Sequence, residues 1–152
     1  MGGPDCAFGY AQARLQARLG ARIGTADWQR LHGTRELGAL LQLAGATPLA
    51  PCTRDLGAHL PVHVLESRLR QHWLASVDEV AAWQPPPWRG AVRWLRWLPY
   101  LPALEKLARG GAPPEWMRAD AVLGPLVAED PRLRAERLQR EEFAPLAAGF
   151  AA

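Results

Sequence analysis

The sequence predicts an all-α fold: a compact bundle of about six to eight helices, several of them short, with one long central helix. Two observations support this prediction. Proline and glycine divide the chain into segments in which apolar residues recur with helical period. No segment shows the sustained alternation of β-branched residues that is typical of strands. The 152 residues are 49% hydrophobic, which is enough to form the core of one domain.

The first predicted helix runs from Phe8 to Ile23 and has two distinct sides. We expect an apolar stripe at helical spacing to form its core face: Phe8, Ala11, Leu15, Leu19 and Ile23. A row of arginines at i, i+4 and i+8 lies beside this stripe: Arg14, Arg18 and Arg22. A solvated face is one explanation of the row. The others are binding to an acidic partner helix and ion pairs within the chain.

Two short helices should follow the first one. Thr25 is the expected N-cap of a helix that ends at Gly33, and Thr34 is the expected N-cap of a helix that ends at Gly45. Residues 46–57 contain two prolines and are predicted to form a loop.

The long central helix is predicted to begin near Pro61 and to end before Gln84, because the prolines at 85–87 cannot continue it. Its expected buried side is Leu65, Leu69, Trp73, Val77 and Val80. The proline run suggests a boundary between an N-terminal bundle, 1–84, and a proline-punctuated helical segment, 85–152, that packs on it. We expect the two parts to form one domain overall.

The second segment should contain an amphipathic helix over 88–98, short helices over 102–109 and from Pro114, and a charged last helix over 131–143. The 88–98 helix combines arginines with tryptophans and supplies further candidates for partner binding: Arg89, Arg93, Trp94, Arg96 and Trp97. Such residues dominate protein interfaces. They also stack on nucleic-acid bases, and tryptophans are common in cores.

Composition narrows the classes of function. The formal net charge is only +3, which disfavours nucleic acid as a partner. No catalytic constellation, phosphate-binding loop or cofactor motif occurs, so we expect a non-enzymatic, protein-binding chain with no cofactor and no small-molecule substrate. The candidates for a metal site are Cys52, His59 and His63, but Pro61 disfavours a helix that would align the two imidazoles.

The remaining sequence features concern the cellular setting. Two distant cysteines do not form a disulfide framework. We expect neither a leader peptide nor a membrane-spanning segment, because the sequence shows no basic stretch followed by an apolar run near Met1 and no long apolar run elsewhere. We therefore expect a cytoplasmic protein. The alternative is a peripheral position at the inner membrane, where the chain would be held through a complex. Lys106 is the only lysine among 18 basic residues, a bias typical of a GC-rich bacterial genome.

Several short motifs together resemble a known family. The first helix has an aromatic residue, then Tyr-Ala, Ala-Arg and a further arginine: Phe8, Tyr10-Ala11, Ala13-Arg14 and Arg18. Similar motifs follow in order: Ala26-Asp27-Trp28, Leu31, Glu36-Leu37, Leu40-Leu41, Leu65-Glu66 and Leu69. Over residues 8–83 this pattern resembles the central-stalk adaptor family of archaeal and vacuolar-type rotary ATPases, which is called C-type in archaeal complexes and d-type in vacuolar ones.

The resemblance implies a non-catalytic helical adaptor that contacts rotor or stalk subunits and helps to couple ATP hydrolysis to ion transport. The chain departs from the family in length, since members contain three similar bundles and this chain has room for little more than one. It also has Pro48-Leu49 and Pro99-Tyr100 where the family has other residues. Two alternatives stay open: an unrelated helical scaffold or regulatory module that binds through helix 88–98, and a small metal-dependent enzyme.

Overall fold

A computed structural model describes residues 4–109, 111–120 and 122–127. Over these residues the chain forms eight α-helices, two 3₁₀ helices and no strand, which confirms the all-α prediction. The helices are α1 (Pro4–Gly20), α2 (Thr25–Gly33), α3 (Leu37–Gly45), α4 (Ala50–Thr53), α5 (Val62–Trp83), α6 (Pro86–Arg93), α7 (Leu101–Ala108) and α8 (Glu115–Ala119). The 3₁₀ helices are Trp94–Tyr100 and Gly124–Val127.

The described residues divide into two compact units, one ending at Arg93 and the other beginning at Trp94. The proline run was expected to mark a boundary after residue 84. In the structure α6 lies beyond that point and packs against α5, so the first unit includes it. The predicted domain organisation otherwise stays a prediction.

Helix α1 ends at Gly20, earlier than predicted. The N–H of Ala21 is shared between the carbonyls of Ala17 and Arg18, and the N–H of Arg22 donates to Leu19. These bonds close the last turn, so Arg22 lies outside the helix. The predicted row of three arginines on one helix is therefore reduced to Arg14 and Arg18.

Both predicted threonine caps are wrong. Thr25 is already the first residue of α2, and Gly24 is its N-cap. The hydroxyl of Thr34 donates to the carbonyl of Arg30, and the N-cap of α3 is Glu36. Its carboxylate accepts from the backbone N–H groups of Gly38 (2.9 Å) and Ala39 (2.6 Å). The longer glutamate side chain thus satisfies two of the unpaired amides at this helix start.

The segment predicted as a loop, 46–57, contains the short helix α4, with Pro51 in its first turn, where a missing N–H costs nothing. The long helix α5 follows nearly as predicted, with Pro61 as its N-cap and Trp83 as its last residue. Its buried residues are Leu65, Val77 and Ala81. Leu69 and Trp73, which were expected in the core, are exposed.

The proline run at 85–87 ends α5 and also contains the start of α6. Gln84 is extended, and α6 then begins at Pro86 because proline suits the first turn of a helix. The predicted helix 88–98 is not continuous. Its α-helical part ends at Arg93, and a 3₁₀ helix containing Pro99 continues from Trp94. A proline cannot donate the backbone hydrogen bond that an α-helix needs at that position.

The second unit has its own apolar core, contributed by the 3₁₀ helices, α7, α8 and the turn between them: Tyr100, Leu104, Leu107, Met117, Leu123, Leu126 and Val127. Helix α7 matches the predicted 102–109 segment closely, and α8 begins directly after Pro114, its N-cap. The predicted last helix, 131–143, lies outside the described residues. Within the described part of the chain, no helix is long and apolar enough to cross a membrane.

Candidate functional site

The first helix is attached to the long helix through its arginines. Arg14 and Arg18 share one carboxylate of α5, that of Glu79. Nη2 of Arg14 lies 3.6 Å from Oε1, and Arg18 donates a hydrogen bond to Oε2. All three side chains are about half exposed, so water screens the ion pairs. Of the explanations for the arginine row, ion pairing within the chain therefore applies to these two residues.

The same two guanidinium groups also lie against one aromatic ring. The Cζ atoms of Arg14 and Arg18 are 4.8 and 4.7 Å from the ring centroid of Trp83. Both distances are within the range of cation–π attraction. Glu79 and Trp83 are spaced i, i+4 on α5, as Arg14 and Arg18 are on α1, so each pair occupies one side of its helix. We call these four residues the Arg–Trp clamp.

The clamp determines which side of α1 is covered. Ala11, next to the arginines on the helix surface, is only 2% exposed. Phe8, Leu15 and Leu19 are 38, 42 and 59% exposed. The expectation that this stripe forms the core face of the first helix is therefore wrong for Phe8, Leu15 and Leu19 and correct for Ala11. The arginine side faces α5, and the large apolar side chains remain accessible.

The exposed apolar side chains form a shallow groove along α1. Its lining combines apolar residues with three uncharged amides: Phe8, Ala11, Gln12, Leu15, Gln16, Leu19 and Gln84. Gln84 is nearly buried, and its side chain donates to the carbonyl of Val80 (3.4 Å). Arg89 fixes the backbone at the same point by donating from Nε to the carbonyl of Gln84 (3.0 Å). We call this feature the α1 groove.

An exposed tryptophan extends the apolar surface at the Phe8 end of the α1 groove. Trp88 on α6 packs edge-to-face on Phe8, with ring centroids 6.0 Å apart and an interplanar angle of 67°. It remains 56% exposed. Large aromatic side chains that keep this much accessible surface are typical of interaction sites.

At its other end the α1 groove meets a second depression, which shares Leu19. We call it the Arg22 hollow; it is lined by Leu19, Gly20, Arg22, Ile23, Gly24, Thr25 and Trp28. None of these residues carries a carboxylate. Arg22 is exposed and forms no ion pair with the residues that the structure describes. The hollow is therefore a positively charged end to an otherwise neutral groove.

The candidates from the predicted 88–98 helix do not form one site. In the first unit, Arg89 is bound to the Gln84 carbonyl, and Nε of Arg93 lies 3.9 Å from Oδ1 of Asp78. In the second unit, Trp97 is half-buried against Tyr100, with ring centroids 6.0 Å apart, and Arg96 is half-buried as well. The exposed large side chains of this 3₁₀ helix are Trp94, Leu95 and Leu98.

The metal candidates are not brought together. Among the described residues no three His, Cys, Asp or Glu side chains form a possible ligand cluster. Cys52, His59 and His63 therefore do not form such a cluster together. The histidine that does pair with a carboxylate is His72, whose Nε2 lies 2.9 Å from Oδ1 of Asp55. This hydrogen bond lowers the pKa of Asp55.

Sequence reasoning missed the α5 half of the site. Glu79 and Trp83 have a spacing that places an acid and an aromatic on one side of a helix, and a search for i, i+4 partners of Arg14 and Arg18 could have found them. Gln84 carried no comparable signal, because its role depends on the chain turning at the proline run.

No protein-family model matches the chain, and neither a curated protein nor a solved structure is detectably similar to it.

Proposed function

We propose that this chain is a non-catalytic helical adaptor that binds a helix of a partner protein in the α1 groove. The observation that carries the proposal is the exposure of Phe8, Leu15 and Leu19 on a helix whose adjacent side is fixed to α5. Large apolar side chains that share one side of a helix and remain accessible mark an interaction surface.

A partner helix suits the shape and chemistry of this groove. Its apolar positions follow the helical spacing of α1, so a second helix lying along it would meet a side chain at each turn. Trp88 and Phe8 supply an aromatic anchor at one end. The uncharged amides of Gln12, Gln16 and Gln84 could border an apolar contact without burying a charge.

The resemblance of residues 8–83 to the C-type central-stalk adaptors names the partner class to test first. On this proposal the chain binds rotor or stalk subunits of a rotary ATPase and contributes to the coupling of ATP hydrolysis and ion transport. It would lie in the cytoplasm, peripheral at the inner membrane through the complex. Its helices would transmit force or hold neighbouring proteins in position, and no catalytic step is assigned to them.

The test is affinity purification of the tagged full chain from its own cells, with the ATPase subunits quantified. We expect rotor or stalk subunits with the wild type and their loss with the double substitution Leu15→Gln and Leu19→Gln. The matched control is Ala13→Gln with Ala17→Gln, on the exposed far side of α1. Recovery of no ATPase subunit would contradict the rotary-ATPase assignment. Equal recovery with the leucine variant would contradict the α1 groove.

A second candidate surface lies in the second unit, where Trp94, Leu95 and Leu98 are exposed on one 3₁₀ helix. It corresponds to the alternative of a scaffold or regulatory module that binds through the Trp/Arg segment. Trp94→Gln with Leu98→Gln should then abolish partner recovery while the α1 groove variant leaves it intact. The opposite pattern favours the groove.

A further inference from the structure

The basic residues near the α1 groove outnumber the carboxylates that neutralise them. Glu79 is shared between Arg14 and Arg18, and both guanidinium groups remain about half exposed. Arg22 adds a third positive charge in a hollow that, within the described part of the chain, no carboxylate lines. The nearest acid along the chain, Asp27, already pairs with Arg30 at 3.5 Å. Positive charge that the described carboxylates do not fully neutralise therefore lies at one end of the groove, at Arg22, and on the side of α1 next to the apolar stripe, at Arg14 and Arg18.

The opposite edge of the groove is lined, among the described side chains, by the uncharged Gln12 and Gln16, which lie across the apolar stripe from the arginines. If an occupant carried acidic groups along both of its edges, only the edge beside the arginines would gain favourable charge interactions. An occupant with acidic groups on one edge and at one end would be matched along its whole length.

We infer that the occupant of the α1 groove is an amphipathic helix of another protein, with carboxylates along one edge and at the end that reaches the Arg22 hollow. The inference rests on the proposed function and adds the chemistry of the partner. The apolar stripe of this helix lies on Phe8, Leu15 and Leu19. Its terminal carboxylate pairs with Arg22, and its edge carboxylates lie beside the exposed halves of Arg14 and Arg18.

Charge also disfavours a second copy of the chain that packs with its α1 antiparallel to the first. If two copies packed face to face with α1 antiparallel to α1, a two-fold axis would bring the same edge of each helix together. The arginine edges would then be adjacent, with four guanidinium groups and only the two Glu79 carboxylates between them. Like charges in contact oppose such a dimer.

The experiment measures binding of fluorescent amphipathic peptides to the full chain by anisotropy. One peptide of about 18 residues has a leucine stripe and three glutamates at i, i+4 and i+8 on one edge, and its matched control has glutamines there. We expect the glutamate peptide to bind about tenfold more tightly at low salt, since each half-exposed charge pair contributes a small gain. The advantage should shrink at about 0.5 M salt.

Variants of the chain separate the inference from the proposed function. Arg22→Gln should weaken the glutamate peptide about threefold and leave the glutamine peptide unchanged, whereas Arg30→Gln is the matched control. Leu15→Gln with Leu19→Gln should abolish binding of both peptides, with circular dichroism checking that the variant is folded.

Equal affinity for the two peptides, or no effect of Arg22→Gln, would overturn the inference about the acidic partner without contradicting helix binding in the α1 groove. Binding of neither peptide would also overturn it. Binding that survives the leucine variant would overturn the proposed function itself. A wild-type dimer in sedimentation that the leucine variant loses would assign the groove to a second copy.

Discussion

Arg18 on the first helix donates a hydrogen bond to Glu79 on the long helix, across 61 positions of sequence. The same guanidinium lies 4.7 Å from the ring centroid of Trp83. This relationship decides how α1 is rotated about its own axis. It turns the polar edge of the helix toward α5, and it leaves Leu15 and Leu19 accessible.

The energetic link between Arg18 and Glu79 can be measured by a double-mutant cycle with Arg18→Gln and Glu79→Gln. We expect a coupling of about 0.2–1 kcal/mol in the free energy of unfolding, because both side chains are half exposed. The coupling should fall at high salt. The local pair Arg30–Asp27 is a suitable control, since it does not join two helices. Strictly additive effects of the two substitutions would contradict the pairing.

The buried edge of α1 should not tolerate a larger side chain. Ala11 is almost fully covered, so Ala11→Leu forces extra carbon atoms into a packed contact. We expect a loss of about 1–3 kcal/mol in the free energy of unfolding, measured in urea. Ala13→Leu, on the exposed far side, is the control and should change stability by less than about 0.5 kcal/mol. Similar costs at the two positions would show that Ala11 is not at a contact.

The cap of α3 should make stability depend on pH. Hydrogen bonds from the backbone N–H groups of Ala39 and Gly38 lower the pKa of Glu36 in the folded chain. The stabilising contribution is therefore complete above the unfolded pKa, about 4.3, and is lost as the pH falls through the lower folded value. Thermal unfolding of Glu36→Gln should lack this acid-side decline. Parallel pH profiles for the variant and the wild type would rule out the cap.

The pair formed by Asp55 and His72 should be visible in an NMR titration. The hydrogen bond with His72 lowers the pKa of Asp55, so His72→Gln should raise that pKa toward its ordinary range. The stability that depends on the Asp55 carboxylate is present above its unfolded pKa, and it disappears as the pH drops through the folded value. His63→Gln, also on α5, should leave the Asp55 titration unchanged. An Asp55 pKa insensitive to His72 would contradict the pair.

The sequence predicted helix ends well where proline or glycine determines them. Gly33, Gly45 and the proline run after Gln84 end α2, α3 and α5 as expected. Caps were less predictable, because Thr34 can donate to a carbonyl within the preceding turn and Glu36 is not a residue typical of N-caps. The change from α-helix to 3₁₀ helix after Arg93 was also missed, although the sequence shows a proline, Pro99, within that segment.

The site was harder to predict than the helices. Helical period identifies which residues share a side of α1, but it does not tell which side the neighbouring helix covers. The leucine stripe was therefore assigned to the core, while the Arg–Trp clamp selects the adjacent side, with small Ala11 at the contact. That choice depends on Trp83, a residue far away in sequence, and no pattern within α1 itself contains it.

The most direct test of this account is the free energy of unfolding of the double variant Leu15→Gln, Leu19→Gln, measured in urea against the wild type. Because both leucines are about half exposed, we predict a loss of at most about 2 kcal/mol. If the stripe were the core face of the helix, removing two buried leucines would cost more than about 4 kcal/mol. A loss of that size would contradict the exposed α1 groove and the partner-binding function built on it.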